Sequence, residues 1–422
     1  MNKVVITGLG FVSSIGSSIP EVVDHLRCLR HGFDAFPALD GENCPPKWYG
    51  GIKGFETKGC DPEDWSSPDR YKVARHHLKG MSPHVLYSYF ATLDALADAS
   101  LELADVSNRM TGLYSASAGS SRMQHDQVQR MNERGVQRCS PYGVVASTVG
   151  TINFNLAAFL KIQGAVCGMA SACASSAHAM GFAYDAIASG RQERMIVIGA
   201  EDGDRESILP FAAMRALTTA ADPMRASCPF DVARSGFVGT GGASTLILES
   251  EASALARGAK IYAEFKGWGE AGDGHSQTMS HPDGDGLAAA MSHALAATQL
   301  EPEQIDYVNA HGTSTPVGDL SEIRALKQVF TGSSAQSPAI SSTKALTGHS
   351  LSMAGALEAG ICCLALRDGF IPGSAHIQNL DPECEGLNIL RETSAERPRL
   401  VMSNSSGFGG ANVSLIFGEW HD

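Results

Sequence analysis

The chain has 422 residues, 43% hydrophobic and 18% charged, enough to bury a large core in an ordinary globular protein. A formal charge of −13 argues against nucleic acid as the main partner, and ten cysteines in a chain of this length do not make a disulfide framework. No run of about 18 apolar residues occurs to span a membrane; Leu156 to Ala170 comes nearest and Lys161 interrupts it.

In chain order, Lys3–Thr7 reads as a strand running into a turn rather than as a signal peptide, so the expected compartment is cytoplasmic. Helical periodicity follows over Ser88–Ala99 and Ala174–Ala188, then strands over Arg194–Ile198 and Ser244–Leu248. A helix over Gly286–Ala297 precedes a strand over Tyr307–Ala310, and a helix over Asp319–Phe330 precedes one over Ala339–Ser341. A helix over Ala354–Leu366 leads to strands over Leu400–Met402 and Val413–Phe417. This alternation predicts an α/β fold with helices covering a largely parallel sheet. Cys173–Gly190 and Ser352–Gly369 are small-residue helical segments of equal length, each ending at a glycine stop. They suggest two related halves, 1–250 and 251–422, with the two helices packed together and the active centre between the halves.

Four constellations carry candidate chemistry. Cys173 sits in Ser171-Ala172-Cys173-Ala174-Ser175-Ser176-Ala177-His178-Ala179, small residues that run into a helix. A cysteine in a first helical turn faces unpaired N–H groups and the positive end of the macrodipole, which favour the thiolate. His311 opens His311-Gly312-Thr313-Ser314-Thr315-Pro316-Val317-Gly318-Asp319 at the mouth of a strand, where an imidazole can donate to developing negative charge or move a proton. Lys344 and His349 share Ser341-Ser342-Thr343-Lys344-Ala345-Leu346-Thr347-Gly348-His349-Ser350, which leads into the helix carrying Glu358, the natural acidic partner of the lysine. Asn404-Ser405-Ser406-Gly407-Phe408-Gly409-Gly410-Ala411-Asn412 lies between two strands and lacks the Lys-Ser/Thr of a phosphate loop, so it fits an oxyanion donor better. Taken singly, each segment has a plain structural reading: an inert thiol, a turn histidine, a capping segment, a hairpin loop. His76-His77 and His275/His281 show no metal-ligand spacing.

Together the four segments, in this order, resemble a β-ketoacyl-acyl-carrier-protein synthase of the elongating type, over essentially the whole chain from Val4-Val5-Ile6-Thr7-Gly8-Leu9-Gly10 onward. The resemblance implies a thiolase-like fold of two duplicated layered α/β halves and a homodimer, with a heterodimer containing a chain-length-factor-like partner as the alternative. It implies that Cys173 takes an acyl chain as a thioester and that His311 and His349 assist malonyl decarboxylation. It further implies that Lys344 and Glu358 set the charge balance, and that the Cys173 and Phe408 N–H groups form the oxyanion hole, with Phe408 also gating the acyl pocket. Thr313 and Thr315 match positions that bind the phosphopantetheine arm, and Ser406, Gly407 and Gly409 line the substrate side of the loop. The implied reaction is a decarboxylative Claisen condensation in fatty-acid or related specialised lipid, polyene or polyketide synthesis, with no metal or redox cofactor. An acidic acyl-carrier protein would dock on basic residues, for which Arg75, Lys79, Arg134 and Arg138 are candidates.

Three departures bear on substrate shape. Ser406 stands where elongating relatives usually have Phe, Ala411 where they have Thr, and Ser117-Ala118-Gly119-Ser120-Ser121 is less glycine-rich than its counterpart. The rival class, thiolase, needs a second cysteine in a Cys-x-Gly setting near the C-terminus, and the last cysteine here is Cys384.

Overall fold

The computed structural model describes residues 1–35, 44–331 and 337–421. The first half contributes β1 (Val4–Val12), helix α1 (Pro83–Asp98), β2 (Thr111–Ala116), helix α2 (Ser121–Arg134), β3 (Val166–Met169), helix α3 (Ser175–Ala188), β4 (Arg194–Glu201) and β5 (Gly242–Ser250). The second contributes β6 (Ala263–Gly272), α4 (Asp285–Thr298), β7 (Tyr307–Asn309), α5 (Pro316–Phe330), β8 (Ala339–Ser341), the short α6 (Lys344–Thr347), α7 (Ala354–Asp368), β9 (Leu400–Gly407) and β10 (Ala411–Gly418).

The strands join one eleven-stranded ladder in which the order repeats. It runs β3-β2-β4-β5-β1 in the first half and β8-β7-β9-β10-β6 in the second, with Asn388–Ile389 added at the β8 edge. The pairing senses repeat as well: β2 is parallel to β3 and β4 just as β7 is parallel to β8 and β9. The last strand of each half, β5 or β10, runs antiparallel to both its neighbours. β1 and β6 join the halves antiparallel, Val4 opposite Phe265. The sheet is therefore mixed, not largely parallel as the alternation of elements suggested. One antiparallel pair follows directly from connectivity: β9 returns into β10 through the Gly407–Ala411 turn, with no crossover helix to allow a parallel pairing.

Both faces are covered. α1 packs on the outer face of the first half, where Phe90, Leu96, Ile196 and Ile247 share one buried cluster. α4 and α5 do the same in the second half around Met291, Ile323, Val308 and Met402. α3 and α7 lie between the halves, and each touches strands of both. They meet through small side chains, as their composition predicted. A Cβ on Gly355 would stand 2.6 Å from the backbone nitrogen of Ala177, closer than packed atoms allow. The central cluster around them holds Ala177, Met180, Ala356, Leu357 and Cys363.

Gly355→Ala is expected to destabilise the chain by about 1–3 kcal/mol, the range for overpacking a tight core. Urea unfolding checks this; an unchanged midpoint and slope would show that α3 and α7 can move apart freely.

Candidate active site

The nucleophile candidate is presented by a strained turn. Ala172 has φ +49°, a left-handed conformation disfavoured for any residue with a Cβ. The turn is held locally: Ser171 N–H donates to Ser175 Oγ at 2.8 Å, and that hydroxyl donates to Ala172 O at 2.6 Å. Cys173 lies just before α3, with Ala174 in the N-cap position, and the residue is 8% exposed.

The second half delivers the imidazoles. His311 follows β7, and its backbone N–H donates to Glu322 Oε1 at 2.8 Å while Gly312 N–H donates to Glu322 Oε2 at 2.6 Å. Glu322 lies on α5, whose start is fixed by Thr315: its Oγ1 accepts from Gly318 N–H at 3.2 Å. Asp319, also on α5, accepts from Ser314 N–H at 3.0 Å and Phe230 N–H at 3.0 Å. His349 follows α6; its N–H donates to Val238 O at 2.8 Å, and the Phe237 ring packs edge-on against its imidazole with centroids 5.1 Å apart.

These elements bring the expected groups together. His349 Nε2 is 3.1 Å from Cys173 Sγ, and the His311 and His349 rings meet edge-on at 5.3 Å. Lys344 Nζ is 3.4 Å from His311 Nδ1 and forms a buried ion pair with Glu358. The donor atoms of Cys173, His311 and His349 all lie within 4.8 Å of one another. Three such ligands suit a soft divalent metal, yet the Lys344 ammonium beside His311 opposes a second cation there.

Burial sets the protonation states. Cys173 is pushed up to about 12 by loss of solvation, with Lys344 opposing the shift. Burial thus disfavours the thiolate that the helix terminus was expected to favour. Burial and then Lys344 hold both His311 and His349 well below the usual imidazole value, so both rings are neutral near pH 7. Burial raises Glu358 to about 7 despite Lys344. Glu322 is also raised by burial.

The triad forms the floor of a cleft of about 580 Å³. Thr313, Thr315, Ser406, Gly407 and Phe408 line it, as do Phe211, Met214, Arg215 and Met279 at its sides. Gly407 lies against the nucleophile turn: a Cβ there would run into Ser171 O and stand 3.2 Å from Cys173 N. Gly409, with φ +82°, donates to Gln277 O at 2.9 Å and so fixes the turn beside Phe408. Ser406 Oγ donates to Asn412 Oδ1 at 2.7 Å. Arg75, Lys79, Arg134 and Arg138 are exposed and are not among the residues lining the cleft. Arg75 is engaged by both oxygens of Glu63, whereas Lys79, Arg134 and Arg138 have no ion pair among the described residues. Cys384 lies in the core behind the second half, remote from a role as acid or base in the cleft.

Sequence reasoning missed Glu322 and Phe237. A carboxylate one turn beyond Asp319, on the core-facing side of α5, was the available signal for the first. Nothing in the sequence marks Phe237.

Comparison with known proteins settles the family. The beta-ketoacyl synthase N-terminal domain model matches residues 1–254, and the C-terminal domain model matches residues 262–378. The chain belongs to the beta-ketoacyl synthase family. It is 39% identical to 3-oxoacyl-[acyl-carrier-protein] synthase 1 of Haemophilus influenzae, with 100% of each chain covered. Among solved structures, a beta-ketoacyl synthase from Burkholderia phymatum superposes with a TM-score of 0.91 at 33% identity, covering 100% of both chains. A type II polyketide ketosynthase solved in complex with its acyl-carrier protein gives a TM-score of 0.89 at 25% identity, covering 99% of this chain and 100% of that one.

Alkylation of Cys173 by iodoacetamide, followed on its peptide by mass spectrometry, should rise about tenfold per pH unit from pH 6 to 9 without levelling, because the thiolate fraction keeps growing. A plateau in that window would mean a preformed thiolate–imidazolium pair.

Proposed function

We propose that the chain joins an acyl group held on Cys173 to malonyl-acyl-carrier protein with loss of carbon dioxide, giving β-ketoacyl-acyl-carrier protein. The observation that carries this reading is the convergence of Cys173 Sγ with two neutral imidazoles at the floor of the cleft, in a chain of this family.

The geometry supports the following course. Cys173 Sγ attacks the acyl thioester carbon, and its proton passes to the departing pantetheine thiolate. The N–H groups of Cys173 and Phe408, on facing turns, take up the charge on the carbonyl oxygen. The malonyl thioester then binds with its carbonyl oxygen toward Nε2 of His311 and His349. Neutral imidazoles can each donate one hydrogen bond to that oxygen. The carboxylate carbon–carbon bond breaks, carbon dioxide leaves, and the electron pair becomes the enolate. The enolate carbon attacks the acyl carbonyl on Cys173, and the sulfur leaves as thiolate. Atoms and electrons balance without metal or redox cofactor. The buried Lys344 ammonium discourages protonation of both rings and, donating to His311 Nδ1, leaves the His311 proton on Nε2. Thr313 and Thr315, whose hydroxyls lie 3.0 Å apart at the side of the cleft, suit the amides of the pantetheine arm.

Fatty-acid synthesis is the favoured setting, since a relative at 39% identity is a 3-oxoacyl-[acyl-carrier-protein] synthase. Ten free cysteines fit a reducing compartment, which supports the cytoplasm. A homodimer is favoured by β3, an edge strand whose Val166 is 44% exposed, close to exposed Val144 and Phe154 in the flanking chain. An uncovered apolar edge of this kind invites pairing with a second copy. Of the four docking candidates, Lys79, Arg134 and Arg138 have no ion pair among the described residues and are open to an acidic carrier protein.

Two outcomes follow. Cys173→Ala should abolish condensation and retain the native oligomer by light scattering; wild-type turnover in that variant would end the proposal. Neutralising Lys79 and Arg134 together should lower kcat/KM about tenfold with carrier-bound acyl donor and leave a short acyl-pantetheine donor unaffected, as expected for steering charges. Equal losses on both donors would exclude a docking role.

A further inference from the structure

A chain of polar contacts reaches the nucleophile turn from outside the cleft. His178, one turn into α3, is 2.8 Å through Nδ1 from Ser171 Oγ. Its Nε2 is 2.9 Å from Glu270 Oε2 on β6. The imidazole is held between Phe182, which stacks on it at 6.0 Å, and Trp268, which meets it edge-on at 6.2 Å. With Glu270 accepting from Nε2–H, Nδ1 is left as the acceptor for the Ser171 hydroxyl. The other contacts that hold Ser171 and Ala172 come from the start of α3 itself. This chain instead ties the turn to the other half of the molecule. Glu270 pairs in register with Val413 on β10, the strand that leaves the Gly407–Gly410 turn bearing Phe408.

We propose that Ser171, His178 and Glu270 are positioning residues that hold the Cys173 N–H in register with the Phe408 N–H for acyl transfer. The inference rests on the reading of Cys173 as acyl acceptor. Three observations favour it. The turn holds Ala172 in a left-handed conformation that its surroundings must keep in place. Gly407 abuts Ser171 O and Cys173 N so closely that small displacements of either turn change the spacing of the two donors. The Glu270 side chain is 51% exposed, so its pair with His178 adds little to global stability, and its effect falls on orientation. Serine, histidine and a carboxylate also build hydrolytic triads, but none of these three lines the cleft, so a second nucleophile has no substrate space.

The test compares wild type, Glu270→Ala, Glu270→Gln and Ser171→Ala, each as the full chain. Acylation of Cys173 by acyl-pantetheine is followed by rapid quench and mass spectrometry. Iodoacetamide alkylation, which forms no oxyanion, is the control. Glu270→Ala and Ser171→Ala should each slow acylation about tenfold at saturating donor with KM unchanged, since donor misplacement weakens transition-state stabilisation. Alkylation should stay within about twofold of wild type, since thiolate access is untouched. Glu270→Gln, whose side-chain oxygen still accepts from Nε2–H, should recover most of the acylation rate. Wild-type acylation in Glu270→Ala would overturn the inference, as would parallel loss of acylation and alkylation with no rescue by Gln. Failure of wild-type Cys173 to take up an acyl group would overturn the functional reading beneath it.

Discussion

Where α3 crosses α7, Gly355 lies against the backbone of Ala177 and no side chain larger than hydrogen fits between them. Everything at the site is referred to that contact. The turn leading into α3 carries Cys173, and the loop before α7 carries His349, so the closeness of the two helices sets the 3.1 Å separation of sulfur and imidazole. A larger residue at the crossing would part the helices and with them the two halves of the chemistry. Small residues on both helices are thus a catalytic requirement expressed as packing.

Enclosure by those layers then determines the electrostatics. Desolvation keeps the thiol and both imidazoles neutral, and Lys344 discourages any proton on the rings. The buried Lys344–Glu358 pair stands directly behind His311 and gives the pocket a fixed field without a mobile ion. Neutral imidazoles are hydrogen-bond donors to an enolate oxygen, whereas imidazolium groups would tend to protonate it. A dry site therefore suits the loss of carbon dioxide better than general acid catalysis would.

Much of this was legible in the sequence, for identifiable reasons. Cys173, His311, Lys344 and His349 each stand in a short contiguous segment at the end of a strand or the start of a helix, so local pattern locates them. The equal small-residue helices foretold their own contact, Gly355 against Ala177, because close helix packing constrains composition over many consecutive positions. What local pattern could not supply were outcomes of tertiary burial. The helix terminus suggested a thiolate at Cys173, whereas burial pulls the other way. Alternating elements suggested a largely parallel sheet, and the antiparallel strands β5 and β10, with the β1–β6 junction, made it mixed. Glu322 holds His311 only because α5 folds back over β7, and Phe237 meets His349 from a segment more than a hundred residues away.

The most direct measurement separates the two half-reactions in His311→Ala and His349→Ala. Transfer of an acyl group to Cys173 is scored by intact mass, and carbon dioxide release from malonyl-acyl-carrier protein by isotope. Both variants should still acylate Cys173 while decarboxylation falls by about two orders of magnitude or more, as expected when transition-state donors are removed. Undiminished carbon dioxide release in either variant would contradict the assignment of that imidazole to the enolate oxygen.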